Sequence, residues 1–252
     1  MNVNQQSGKN EMETATSSVV VDIRDAFLWI TVNRPDKANA MTVGMVQDIT
    51  AAIARGVDDP EIRAVMLTGS GERVFTAGVD VREKPEDGDT ARQKERRSHA
   101  LAALQDIVMD APKPVIAVLN GAAIGGGAML ALLADACVAV DEADLALPEI
   151  DLGIATFSGA NILAVIGGRA LALDLIQTGR RMSAAEAQRR GLVRSVVRRE
   201  ELSVAASAVA TGLGAKDRAV FADNKRWINR ALKEALAEAR GEHARHRQQA
   251  AK

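Results

Sequence analysis

The sequence has no tyrosine, so no phenol can act as acid, base or hydroxyl donor in its chemistry. It has one cysteine, Cys137, which cannot close an intramolecular disulfide. That residue sits in the apolar run ACVAV, the setting of a buried core thiol rather than a nucleophile. Excess positive charge is also missing: 32 Lys and Arg stand against 33 Asp and Glu, a net charge of -1. Phosphate backbones are held by a basic face, so the composition argues against nucleic acid as the main partner. No apolar run reaches the roughly 20 residues of a membrane span. The first residues lack the basic-then-apolar pattern of a signal peptide. These absences lead to the expectation of a cytoplasmic protein with no membrane partner. No sequence repeat of about 20–50 residues is found either.

What is present is an alternation of strand-like and helix-like runs over 252 residues, enough for one well-packed domain. Residues 1–18 are polar and aperiodic, and read as a disordered tail. VVVDIR and LWITVNR read as a hairpin. Thr42 caps a helix expected from Val43 to about Asp58, with Val43, Val46, Ile49 and Ile53 on its apolar face. AVMLTGS reads as a buried strand and RVFTAGVDVRE as a loop after it. The charged stretch EKPEDGDTARQKERRS either opens a helix at Thr90 or forms a flap. KPVIAVLN, GGGAMLALLADA and CVAVDE read as strand, helix and strand. Ser183 and Glu186 form a capping box for a helix ending at Gly191, LVRSVV is a strand, and the last fifty residues are helical. The pattern is α/β, with helices covering sheet faces.

The glycines of NGAAIGGGAML pose the functional question. A helix that begins at bare glycines exposes N–H groups to which a ligand oxygen can come close. No lysine follows them and the dinucleotide spacing is absent, so neither phosphate-binding pattern fits. Two readings remain at this level. One is close helix packing through small residues. The other is half of an oxyanion hole, worth about 3–4 kcal/mol per donor, with the second N–H coming from the bare turn FTAGVD.

Four segments carry a resemblance. NRPDKANAMT, FTAGVDVRE, KPVIAVLNGAAIGGGAMLALLADACVAVDEADLALPEIDLGI and LIQTGRRMSAAEAQRRGLVRSVV are similar, in order and spacing, to the enoyl-CoA hydratase/isomerase (crotonase) superfamily. The match spans about Val19 to Val197 and weakens toward the final helix. The resemblance implies a crotonase-like spiral of repeated β-β-α units (19–197) and a C-terminal helical trimerisation region (198–252). It implies homotrimers that pair into hexamers, and an acyl-CoA substrate of the kind met in fatty acid metabolism. It implies no metal and no separate cofactor, CoA being part of the substrate. The oxyanion donors fall on the N–H groups of Val79 and Gly126. CoA would lie along Lys37, Ala38 and Asn39 and along Ala77, Asp80 and Arg82.

The sequence departs from the hydratases of that family at one of their two glutamates. The positions fall on Met129 and Glu149, so one carboxylate is missing. Adding water across C=C needs a group that handles water and a group that delivers a proton, and a methionine does neither. Single-carboxylate relatives, the Δ3,Δ2-enoyl-CoA isomerases among them, work with the second glutamate alone. Glu149 is therefore expected to be the sole acid/base, its pKa raised in an apolar pocket. The alternative is an acyl-CoA-binding subunit that has lost hydratase chemistry. Phe157 is expected to shape the acyl pocket, beside Met129. Ser158 and Asn161 either meet a polar acyl group or cap the helix that begins there. Alternation would put Asp151 on the side of Glu149 as a second carboxylate, but capping or a salt bridge is the expected role. His99, His243 and His246 read as solvated. The sequence stops within a helix that relatives continue past, so a neighbouring subunit, or nothing, is expected to close the acyl pocket.

Overall fold

The computed structural model describes residues 17–85 and 87–250, without the side chains of 247, 248 and 250. The expected N-terminal tail therefore lies almost wholly outside the described residues. The hairpin forms as β1 (Val19–Arg24) and β2 (Phe27–Val32), turning on Asp25 and Ala26 at positive φ. α1 (Val43–Asp58) starts where Thr42 accepts a hydrogen bond from the Met45 N–H, 3.3 Å. β3 (Ala64–Gly69) follows, and then β4 (Val74–Thr76), a strand within the stretch expected to be loop. Parallel pairing with the distant residues Ala122 and Ala123 is what makes VFT extended. The charged stretch resolves into a helix, α2 (Thr90–Asp110), capped by Asp89.

The chain continues as β5 (Val115–Leu119), β6 (Ala122–Ile124), α3 (Gly126–Leu133), β7 (Ala136–Val140) and β8 (Asp144–Ala146). A 3₁₀ turn over Pro148–Leu152 leads to α4 (Phe157–Gly167) and α5 (Arg169–Thr178). β9 (Met182–Ser183), α6 (Ala184–Arg189) and β10 (Ser195–Val197) complete the sheets. Ser183 accepts from the Glu186 N–H as expected. The Glu186 carboxylate instead takes Arg180 and Arg190, whose hydrogen bonds, Arg180 first, pull its pKa down to about 2. α7 (Leu202–Gly214), α8 (Arg218–Ile228) and α9 (Arg230–Ala250) finish the molecule.

Two sheets result. The larger runs β1-β2-β3-β5-β7-β10, and only β1 is antiparallel to its neighbour. The smaller runs β4-β6-β8-β9, with β4, β6 and β8 parallel. Each coil of the chain puts one strand in each sheet, so successive coils stack β3, β5, β7 in one and β4, β6, β8 in the other. This is the expected spiral of β-β-α units. The central strands VIAVL and ACVAV are buried at every position, as strands covered on both faces must be. Cys137 is buried among them, and burial pushes its thiol pKa up, away from nucleophilic use. Among the described residues, no helix is long and apolar enough to cross a membrane.

Candidate active site

The smaller sheet brings the site together. Its parallel strands β4, β6 and β8 end side by side, and their exits are 77–80, Gly125–Gly126 and Leu147–Glu149. The β6 exit is the middle one. It therefore has the Val79 loop on one side and Glu149 on the other.

The first exit is held rigidly. Ala77 N–H donates to the Ala38 carbonyl (3.0 Å), Met41 N–H to the Gly78 carbonyl (2.8 Å) and Asp80 N–H to the Met41 carbonyl (2.8 Å). Neighbouring N–H groups of an extended chain point to opposite sides, so the Val79 N–H is turned away from Met41. On that other side is Gly126: a Cβ built there would stand 3.6 Å from the Val79 nitrogen. Gly126 is the first residue of α3, where an N–H has no intrahelical acceptor. The glycines are needed by geometry. Gly125 has φ 55° and ψ -122°, and a Cβ on Gly78 (φ 81°) would press on the Gly126 nitrogen at 2.7 Å.

The third exit carries Glu149. Its Oε1 would lie 3.3 Å from a Cβ on Gly125, so the carboxylate faces the glycine turn. Its Oε2 is buried and has no hydrogen-bond partner. Burial pushes its pKa up, with only its own backbone N–H pulling the other way. A half-buried carboxylate with one unpartnered buried oxygen therefore stands beside the Gly125–Gly126 turn. Asp151 is not a second carboxylate here. It is exposed and its Oδ2 faces Gly179, at 2.9 Å from a Cβ built there, because the 3₁₀ turn rotates it away from Glu149.

The residues expected along CoA divide by environment. Lys37 and Arg82 are exposed. Ala38 and Asn39 are in the left-handed region (φ 51° and 53°). The Asn39 side chain holds that turn, accepting from the Arg34 N–H and Ser70 Oγ and donating to the Ser70 and Val74 carbonyls. Asp80 pairs with Arg34 at 2.6 Å and accepts from the Arg82 N–H. Burial works to raise its pKa, but those hydrogen bonds and the charges of Arg34 and Arg97 hold it low.

Met129 is 5% exposed, one turn along α3 from Gly125. Its sulfur accepts from Gln105 Nε2 on α2 (3.6 Å). Beside this pair is a cavity of about 190 Å³, lined by Leu101, Gln105, Met129, Ser158, Arg240 and His243 among others. Leu101 connects it to Gly126, since its Cδ2 would touch a Cβ built there at 3.5 Å. Three expectations change here. The chain's own α9 borders the cavity, because Arg240 ties it to Asp106 (2.9 and 3.0 Å). His243 is half-buried rather than solvated, its ring edge-on to Phe157 at 4.9 Å between centroids. His246 is exposed, as is His99. Asn161 does not cap α4; it donates to the Ala235 carbonyl on α9 (2.7 Å). Phe157 stands behind His243, and Ser158 forms the wall. Sequence reasoning missed Gln105 and Arg240, which lie on polar helices with no motif around them.

The sequence model described as enoyl-CoA hydratase/isomerase matches residues 22–251. The chain belongs to the enoyl-CoA hydratase/isomerase family. Within this family it is similar to the Mycobacterium leprae protein named "Probable enoyl-CoA hydratase echA8", 38% identical over 88% of this chain and 84% of that one. It is also similar to the carnitinyl-CoA dehydratase of Salmonella enteritidis, 42% identical over 74% of this chain and 70% of that one. Its fold matches the crystal structure of enoyl-CoA hydratase from Bacillus anthracis with a TM-score of 0.78, at 29% identity, covering 88% of this chain and 89% of that one. The α/β fold with its two sheets and C-terminal helical region is thus that of an enoyl-CoA hydratase/isomerase family member.

Proposed function

We propose that the protein is an enzyme that forms and uses the enolate of an acyl-CoA thioester, with Glu149 as its only acid/base. The observation that carries this reading is the Glu149 carboxylate beside the Gly125–Gly126 turn, with a methionine where a second carboxylate would be needed. The Val79 and Gly126 N–H groups bind the thioester oxygen and hold the negative charge that develops on it. Glu149 takes the proton from C2 of a 3-enoyl thioester. The electron pair moves into the dienolate, and the protonated Glu149 returns the proton at C4, leaving a 2-enoyl thioester. One carboxylate suffices because it gives back the proton it removed. Isomerisation is therefore the reaction this site suits best within the family. Lys37 and Arg82, exposed at the rim, meet the CoA phosphates. Asn39 and Asp80 serve by holding the two loops that carry the site. No separate cofactor enters the step, and the assembly in this reading is a homotrimer or homohexamer.

The test is a panel of acyl-CoA thioesters incubated with the protein in deuterated buffer and followed by mass spectrometry. The reading expects deuterium at the α-carbon and conversion of 3-enoyl to 2-enoyl thioesters. Binding of the panel with no exchange in any member would establish instead an acyl-CoA-binding subunit without catalysis.

A further inference from the structure

Gln105 is 2% exposed, a fully buried amide in the wall of the cavity beside Met129. Its orientation is fixed from behind. Oε1 accepts from Arg240 (3.2 Å), and Arg240 is itself fixed by Asp106 and the Ala102 carbonyl. Nε2 is thereby turned toward Met129, where it donates to the sulfur at 3.6 Å. A thioether is a weak acceptor, and a buried amide NH₂ carries two donors, so this nitrogen is poorly satisfied for its depth. A cavity serving a plain alkyl chain would do better with a leucine there. Ser158, 8% exposed, and the His243 ring add polar groups to the same wall.

We propose that this cavity is the acyl subsite for a compact acyl group carrying a hydrogen-bond-accepting oxygen at its far end, and that Gln105 Nε2 reads that oxygen. The inference rests on the thioester being held at Val79 and Gly126. Leu101 joins those donors to the cavity, so an acyl chain leaving the oxyanion pair enters it beside Met129 and reaches Gln105 next. Size limits the group. The volume of about 190 Å³ is slightly larger than the roughly 150 Å³ that accommodates a benzene ring.

Isothermal titration of the full chain with hexanoyl-CoA and with 5-oxohexanoyl-CoA tests the proposal without needing turnover. The wild type is expected to bind the oxo thioester at least about tenfold more tightly, the discrimination of one buried hydrogen bond. Gln105→Leu is expected to abolish that preference by weakening the oxo thioester alone, whereas Met129→Leu keeps it. Equal affinity of the wild type for the two thioesters, which requires no variant to fold, overturns the proposal and leaves the enolate reading standing. A preference that survives Gln105→Leu also overturns it. Failure of both thioesters to bind overturns this proposal and the enolate reading together.

Discussion

The backbone nitrogen of Val79 lies 3.6 Å from the point where a Cβ of Gly126 would stand, with nothing closer to that point than 3.4 Å. A methyl group can therefore be added at Gly126 without forcing the backbone, yet it would occupy the space between the two donors. Gly126→Ala is expected to keep a Tm within a few degrees of wild type and to lose about a hundredfold or more in kcat. The next residue separates folding from function. A Cβ on Gly127 would meet the Thr76 carbonyl oxygen at 2.2 Å, so Gly127→Ala is expected to give little soluble, folded protein. Thermal denaturation and turnover of the two variants check both statements.

The raised pKa of Glu149 fixes the direction of the pH dependence. A base must be ionised to accept a proton, so turnover is expected to climb as pH rises through that raised value, above the ordinary glutamate range. Stability runs the other way. The folded state holds this proton more tightly than the unfolded chain, so the group's contribution is full below the unfolded pKa and is lost as pH rises through the folded one. A kcat/KM profile, compared with that of Gly126→Ala, locates the limb. A limb at the ordinary glutamate value would show Glu149 to be solvated.

Lys225 on α8 and Asp135 between α3 and β7 form a buried ion pair at 2.6 Å, with Lys225 6% exposed. Burial pushes Asp135 up and Lys225 down, each against the pull of its partner. Asp135 also accepts from the Val115 N–H at 2.8 Å, which links α8 to the central strand β5. Lys225→Met leaves the carboxylate buried without its cation. The expected loss is about 3–5 kcal/mol, seen as a Tm decrease on the order of 10 °C. A decrease of less than about 2 °C in differential scanning calorimetry would show that the pair is well solvated.

The fold was legible where local chemistry and long-range pairing agree. Thr42 caps α1, VIAVL and ACVAV are apolar throughout, and Gly125 needs a conformation other residues resist; each signal lies within a few residues. The three-residue strands β4, β6 and β8 gave no such signal, because pairing between coils alone makes them extended. Glu149 and the glycines were visible because spacing along the chain carries the family pattern. Gln105 and Arg240 lie 135 residues apart in sequence, and His243 lies on a polar helix end. Only the packing of α9 against α2 and α4 turns them toward one cavity, and a polar helix face does not say what it will touch. For Asp151 alternation alone would have misled, since a 3₁₀ turn does not alternate.

The central claim is that Glu149 alone moves the proton. The most direct measurement is the rate of deuterium uptake at the α-carbon of a 3-enoyl-CoA in deuterated buffer, for the wild type and Glu149→Gln, with thioester affinity measured alongside. The account predicts a loss of about a hundredfold or more in the variant at nearly unchanged affinity. Exchange at the wild-type rate in Glu149→Gln would contradict it.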